Sequence, residues 1–209
     1  MITVACVDSG NYLGRGREYV EKLRLIVARH LSVPHVFVCL TDYGPVGDEH
    51  GDWPTFFIGI SGERKGWWAK TELFKPGIFP AGERVLYLDL DTVVVGSLDE
   101  LVKHKGILHL DRWGWEKKVY GSGVMIWDSG EHAEIWTKFT PDVPKRHEGD
   151  QNWLTELGGW PALPDGICVS YRYHCKKGPP AGASVICMHG RPKQTDLPPE
   201  HWVYEHWRI

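Results

Sequence analysis

The residues with the clearest chemical potential are Asp89 and Asp91, separated by Leu90 and preceded by the apolar run Val85-Leu86-Tyr87-Leu88. A short, nearly continuous apolar run is the pattern of a strand buried on both sheet faces. Side chains alternate along an extended chain, so both carboxylates point to one side and Leu90 to the other. Two carboxylates aimed together repel unless positive charge lies between them, and a hard divalent cation is the usual source of it. The plainer reading is a pair of acids capping a turn where a strand ends. The surrounding chain has to decide between the two.

That chain has 209 residues, the size of one domain. With 42% hydrophobic and 24% charged residues it has the composition of a soluble globular protein. A net charge of −3 gives no general attraction to nucleic acid or an anionic membrane. Local clusters such as Arg15 and Arg17 could still meet phosphate. No apolar run approaches the roughly 20 residues of a membrane span. The opening Met1-Ile-Thr-Val-Ala-Cys-Val-Asp8 reads as a first strand rather than a signal peptide, so a cytoplasmic location is expected. Five cysteines show no C-x-x-C spacing; Cys6 and Cys39 read as small buried hydrophobes on strands. Cys168, His174, Cys175, Cys187 and His189 form a possible zinc group, at a spacing that matches no structural zinc pattern. Eleven tryptophans offer flat apolar faces with a polar edge, suited to sugar rings and bases as well as to core.

Periodicity supplies the elements around the two acids. Ile2 to Val7 reads as a strand; Tyr19, Val20, Leu23, Ile26, Val27 and Leu31 recur at helical spacing, and Pro34 ends that helix. His35 to Thr41 is a second buried strand, stopping at Asp42 and a Gly/Pro-rich loop. Strand, helix, strand is the parallel unit of an α/β fold. Thr55 to Ile60 is a third strand and Gly66 to Lys75 a short helix; the strand carrying the acids spans 84–95, followed by a capped helical turn at 96–101. Strands are expected at 107–110, 124–127 and 183–188, and helices at 130–139 and 150–158. A polar, Trp-rich segment occupies 111–121, and regular structure is sparse after 159. Asp8, Asp42, Asp89 and Asp91 all fall at the carboxyl ends of expected strands, where ligands gather in open α/β sheets.

Taken in order, Asn11-Tyr12, Lys70 within Trp-Trp-Ala-Lys-Thr-Glu-Leu-Phe, Tyr87-Leu-Asp-Leu-Asp-Thr92, Gly121-Ser-Gly-Val-Met125, Gly149-Asp-Gln-Asn152 and Met188-His-Gly-Arg-Pro-Lys193 make a set. It resembles the metal-dependent GT-A-fold glycosyltransferases of family 8, the group of glycogenin and the bacterial lipopolysaccharide galactosyltransferases. The resemblance implies a single Rossmann-like α/β domain over 1–209, with a central, mostly parallel sheet flanked by helices and an irregular Pro/Gly-rich C-terminal segment. Residues 1–110 would form the nucleotide-binding half, and 111–209 the half for donor sugar and acceptor.

The resemblance also implies roles. Asp89 and Asp91 would bind Mn²⁺ or Mg²⁺ bridging to the diphosphate of a UDP-sugar, with Asp89 also reaching the donor. His189 is the implied third ligand. The family's late motif, H-x-x-G-x-x-K-P, aligns Cys187 at its histidine, so either residue could hold that position; Gln194 stands where the proline is usual. Lys70 and Lys193 would bring ammonium groups to the pyrophosphate, alongside Gly190. Asn11, Tyr12 and Asp8 would hold uracil and ribose. Ser122 and Gly123 would let backbone approach the donor sugar. Gln151 would stabilise an oxocarbenium-like state, and Asp150 would bind sugar hydroxyls. The implied reaction moves a hexose to an acceptor hydroxyl of a carbohydrate, protein or modified nucleobase with retention of configuration, and without stable membrane insertion. A sugar-phosphate nucleotidyltransferase is the alternative enzyme, but Gly14-Arg-Gly-Arg17 is a short likeness to its Gly-rich segment. A non-catalytic carbohydrate-binding relative is the other alternative.

Overall fold

The structure, a computed structural model, describes residues 1–42, 55–114 and 118–208. The loop expected after Asp42 lies outside the described residues, as does part of the Trp-rich segment.

Nine strands are described: β1 (Ile2–Asp8), β2 (His35–Thr41), β3 (Thr55–Gly59), β4 (Arg84–Leu88), β5 (Thr92–Val94), β6 (Gly106–His109), β7 (Tyr120–His132), β8 (Cys168–Ser170) and β9 (Val185–Cys187). The α-helices are α1 (Gly16–His30), α2 (Glu134–Thr137), α3 (Val143–Arg146), α4 (Asp150–Leu157), α5 (Tyr171–His174) and α6 (Val203–His206). The main sheet has the order β3-β2-β1-β4-β7-β6. β3, β2, β1 and β4 pair in parallel, whereas β7 runs antiparallel to both β4 and β6.

The two-residue alternation of the buried strands builds a core on each side of this sheet. Val4, Cys6, Leu86 and Leu88 face the layer that holds Tyr19, Leu23, Ile26 and Val27 of α1. Ala5, Val85 and Tyr87 face the other layer, with Leu73, Phe74, Trp127 and Trp153. Strand residues of both parities are therefore apolar, the continuous pattern read in the sequence.

The chain leaves β1 toward β2 and β3 on one side, then returns to place β4 on the other side of β1. The carboxyl ends of β1 and β4 thus flank the point where the strand order reverses, the usual ligand crevice of such sheets. Asp8 ends β1, and Asp89 follows β4 directly.

Several expected elements are corrected. The strand expected over 84–95 stops at Leu88: Thr92 N–H and Thr92 Oγ1 both donate to Asp89 O, at 3.0 and 2.8 Å, and close a turn over the two acids. The chain then enters a second, three-stranded sheet as β5, antiparallel to β9, which runs parallel to β8. The strand expected at 124–127 extends to Tyr120–His132, and the helix expected from 130 begins at Glu134. Pairing with β4 and β6 covers β7 as far as Asp128, and the positive φ of Gly130 (100°) and His132 (58°) keeps a right-handed helix from starting before Glu134. The 66–75 helix is a 3₁₀ helix, Gly66–Phe74. β8, α5 and α6 occupy part of the region expected to be irregular.

The start of α1 shows how tightly β1 is sealed. Gly16 is buried against Asp8, and a Cβ at this position would lie 1.9 Å from Asp8 Oδ2. Gly16→Ala is expected to destabilise the protein by about 1–3 kcal/mol, the usual cost of overpacking. Urea denaturation would show it as a lower midpoint at an unchanged slope.

Candidate active site

The turn after β4 fixes the two acids differently. Asp89 receives Lys70 Nζ at 2.8 Å on Oδ1 and 3.0 Å on Oδ2, together with the Tyr87 hydroxyl at 2.5 Å. Asp91 receives the Tyr12 hydroxyl at 3.1 Å and a short ion pair from Lys193. Lys70 Nζ also donates to Ser122 Oγ at 3.0 Å and lies 3.5 Å from Asp150 Oδ2. Lys193 Nζ donates to Met188 O at 2.8 Å. Each acid is thus tied to a lysine from a distant part of the chain.

Burial opposes the charge on Lys70, but Asp150 and Asp89 outweigh it and hold the ammonium above its ordinary range. Asp91 also shifts upward, which for a carboxyl disfavours the charged form. Burial and then the Asp89 charge push its carboxyl up, against the pull of Lys193 and Lys70. Asp150 is buried as the first residue of α4, where a carboxylate suits the helix dipole. Gly149, not Asp150, is the helix cap. Asp150 Oδ2 accepts no hydrogen bond among the described residues.

A cavity of about 540 Å³ opens over this turn. Lys70, Asp89, Asp91, Gly123, Asp150, Gln151, His189, Gly190 and Lys193 all line it, so most of the residues singled out in the sequence meet there. Ser122 is fully buried behind Lys70. A Cβ on Gly123 would sit in ordinary contact, 3.5 Å from Asp89 Oδ2 and 3.7 Å from Cys187 Sγ, so the missing side chain leaves that depth to the cavity.

The N-terminal loop stands beside the cavity rather than in its lining. Asp8 Oδ1 accepts the Tyr12 N–H at 2.8 Å, and Asn11 Oδ1 accepts the Gly16 N–H at 2.9 Å. Asn11 has φ 57°, a left-handed conformation that asparagine tolerates. Tyr12 is the link to the acids, through its bond to Asp91. Arg15 and Arg17 are exposed, and Arg15 lies 3.7 Å from Glu18.

Cys187 pairs with Thr92 across β5 and β9 and also lines the cavity; burial holds its thiol well above the ordinary value. His189 is half-buried between Trp113 and Tyr173, with ring centroids 6.0 and 5.8 Å away, and its Nε2 is 2.7 Å from Ser170 Oγ. Burial, then Arg172 and Lys193, lowers its pKa. Among the described residues no group of three His, Cys, Asp or Glu side chains is arranged to hold a metal ion. The possible zinc group is therefore not assembled: Cys175 Sγ donates to Ser170 O, and His174 Nδ1 accepts from Ser170 N. Gln194 is buried, its Nε2 3.4 Å from Thr92 O.

Sequence reading missed Tyr87, Trp67, Trp113, Arg172 and Tyr173. Tyr87 had a signal, since two-residue alternation puts it on the side of Asp89. The others reach the cavity from separate segments and carry no spacing signal.

No protein-family sequence profile matches this chain, and no curated protein matches it. Solved structures do. The galactosyltransferase LgtC, in complex with donor and acceptor sugar analogs, aligns with a TM-score of 0.69 at 15% identity over 98% of this chain and 91% of its own. The glycosyltransferase GlyE of Streptococcus pneumoniae TIGR4 aligns at 0.67 and 16% over 92% of this chain and 56% of its own. The fold is that of the GT-A glycosyltransferases. The bifunctional WbbM shares it, with a TM-score of 0.62 at 13% identity, over 92% of this chain and 46% of its own. The chain thus spans little more than half of GlyE and nearly all of LgtC.

The raised pKa of Asp91 has a consequence for stability. A carboxyl raised in the folded state stabilises below its unfolded pKa, and that contribution is lost as pH rises through the folded value. At neutral pH the ionised group therefore costs stability. Asp91→Asn is expected to melt at or above the wild-type temperature near pH 7 without divalent metal, with the gain shrinking toward pH 3. Differential scanning calorimetry at both pH values checks the sign.

Proposed function

We propose that this chain is a metal-dependent glycosyltransferase that moves a hexose from a UDP-sugar to an acceptor hydroxyl, with retention of configuration. The observation that carries the reading is the convergence of Asp89, Asp91, Lys70, Asp150, Gln151 and Lys193 on one cavity at the strand-order reversal of a GT-A sheet. LgtC was solved with donor and acceptor sugar analogs, and its fold covers nearly all of this chain.

The donor set fits a divalent cation. Three buried or half-buried carboxylates, Asp89, Asp91 and Asp150, share two ammonium groups, Lys70 and Lys193, which leaves the cluster short of positive charge. Asp89 and Asp91 would hold Mn²⁺ or Mg²⁺, and a bound metal supplies Lewis-acid stabilisation of a diphosphate leaving group. His189, the expected third ligand, has its Nε2 2.7 Å from Ser170 Oγ and is not grouped with the two acids among the described residues, so it would have to turn from Ser170 to reach the ion. His189 has a lowered pKa and so is neutral near pH 7, the form that ligates.

The chain's own residues do the rest. Lys70 and Lys193 sit beside the acids with charges suited to pyrophosphate oxygens. Gly190, at φ +70°, brings backbone rather than side chain to the same edge. Asp150, which lines the cavity with its Oδ2 3.5 Å from Lys70 Nζ, would accept a sugar hydroxyl. Gln151, next on α4, lines the same cavity, and its amide oxygen would face developing positive charge at the reacting carbon without a permanent ion pair. Gly123 keeps this floor open. Asn11, Tyr12 and Asp8 form the base-and-ribose end, coupled to the metal end through Tyr12 and Asp91. Residues 1–110 thus supply most of the nucleotide contacts, and 111–209 the donor-sugar and acceptor side.

Incubation with UDP-glucose or UDP-galactose and Mn²⁺ is expected to release UDP, and Asp91→Ala to reduce that release by at least about a hundredfold, the scale of losing a charge-stabilising group. Inertness with every nucleotide sugar, together with absence of metal-dependent UDP binding by calorimetry, would sink the proposal. NMR of the first-formed product gives its anomeric configuration.

A further inference from the structure

A second groove, of about 400 Å³, lies next to the donor cavity. Its walls include Tyr171, Arg172, Lys176, Lys177, His201 and Trp202. No Asp or Glu among the described residues lines it, and no ion pair among them includes Arg172, Lys176 or Lys177. Three unpaired cations in one depression stand out on a chain whose net charge is −3. Such cations repel one another, and an anionic ligand removes that repulsion. The lining is also aromatic: Tyr171 and Trp202 have ring centroids 6.0 Å apart, and His201 Nε2 is 3.3 Å from the Tyr171 hydroxyl. Cations and aromatic rings lining one groove suit a ring carrying a negative charge.

The groove is joined to the donor cavity. Arg172 lines both. Gly190 lines the first and Pro192 the second, and two residues of chain span at most about 7 Å. The wall between them is thin, held where Arg172 Nη2 donates to Arg191 O at a long 3.4 Å. A molecule of disaccharide length lying over this wall would present a hydroxyl to the donor cavity and keep its far end in the groove.

We propose that this groove is an acceptor subsite for an anionic sugar, gripping a phosphate or carboxylate through Lys176, Lys177 and Arg172 while the ring packs on Tyr171 and Trp202. The assignment rests on reading the neighbouring cavity as the donor site. A compact pocket of this size is that of a small-molecule site, whereas nucleic acid calls for a basic stripe along a face.

The test is a tryptophan-fluorescence titration with the donor cavity first filled by UDP and Mn²⁺. The probes are glucose 6-phosphate, glucuronic acid, neutral methyl glucoside and a short single-stranded oligonucleotide. At least one charged sugar is expected to bind about tenfold or more tightly than methyl glucoside, and which of the two does so tells a phosphate site from a carboxylate site. The double variant Lys176→Glu/Lys177→Glu is expected to weaken that binding about ten- to a hundredfold, the scale of lost charge-assisted bonds. Its UDP affinity and its UDP-glucose hydrolysis are expected to stay at wild-type values. Equal binding of methyl glucoside, no binding of either charged sugar, unchanged affinity in the double variant, or tighter binding of the oligonucleotide would each overturn the proposal. UDP binding is measured first and by itself, so its failure counts against the donor reading, and the groove is then titrated in the UDP-free protein.

Discussion

The site depends on charge compensation in a confined volume. Asp89 and Asp91 stand two residues apart on one turn, and burial makes their mutual repulsion expensive. Lys70 answers the first and Lys193 the second, and Lys70 reaches Asp150 as well. Each lysine comes from a segment far from the turn, so the electrostatics of the acids also tie the 3₁₀ helix, α4 and the C-terminal loop to the end of β4. Half-satisfied buried charges are costly, while fully paired ones hold a unique geometry. The compensation is incomplete by one charge across the three acids. A site left electron-rich at its centre is prepared for a cationic ligand.

The fold supplies the place for this arrangement. A parallel sheet whose strand order reverses between β1 and β4 opens a crevice at their carboxyl ends, and the chain sends both Asp8 and the acidic turn there. The second sheet then does a separate job. By drawing the chain after Asp91 into β5 and pairing it with β9, it carries Cys187, His189 and Lys193 back to the acids from a hundred residues downstream. Tyr12 makes the same connection from the other direction. Two distant segments thus converge on one carboxylate, Asp91.

Much of this was legible beforehand, and for a physical reason. Burial on both sheet faces writes a continuous apolar run, so β1, β2 and β4 and the amphipathic α1 stood out, as did acids placed where those runs end. What failed was local. The strand through 84–95 was read as unbroken because Thr92, Val93 and Val94 favour extension in any sheet, and the turn is closed by bonds from Thr92 back to Asp89. Residues 130–132 have a helical local pattern, yet Gly130 and His132 take positive φ angles, 100° and 58°, that a right-handed helix does not contain.

By itself, then, the sequence determined the parallel α/β class, the acids at the strand ends and the order of the motifs, because these follow from periodicity and residue type. Only the tertiary structure decided which cation meets which acid, that burial and the Asp89 charge push the Asp91 carboxyl up, and that His189 rests against Ser170 and two aromatic rings. It also left Arg172, Lys176 and Lys177, near neighbours in sequence, with no acid from another segment paired to them among the described residues. Such relations depend on distances between segments remote in sequence and on the water excluded between them, and no local pattern encodes either.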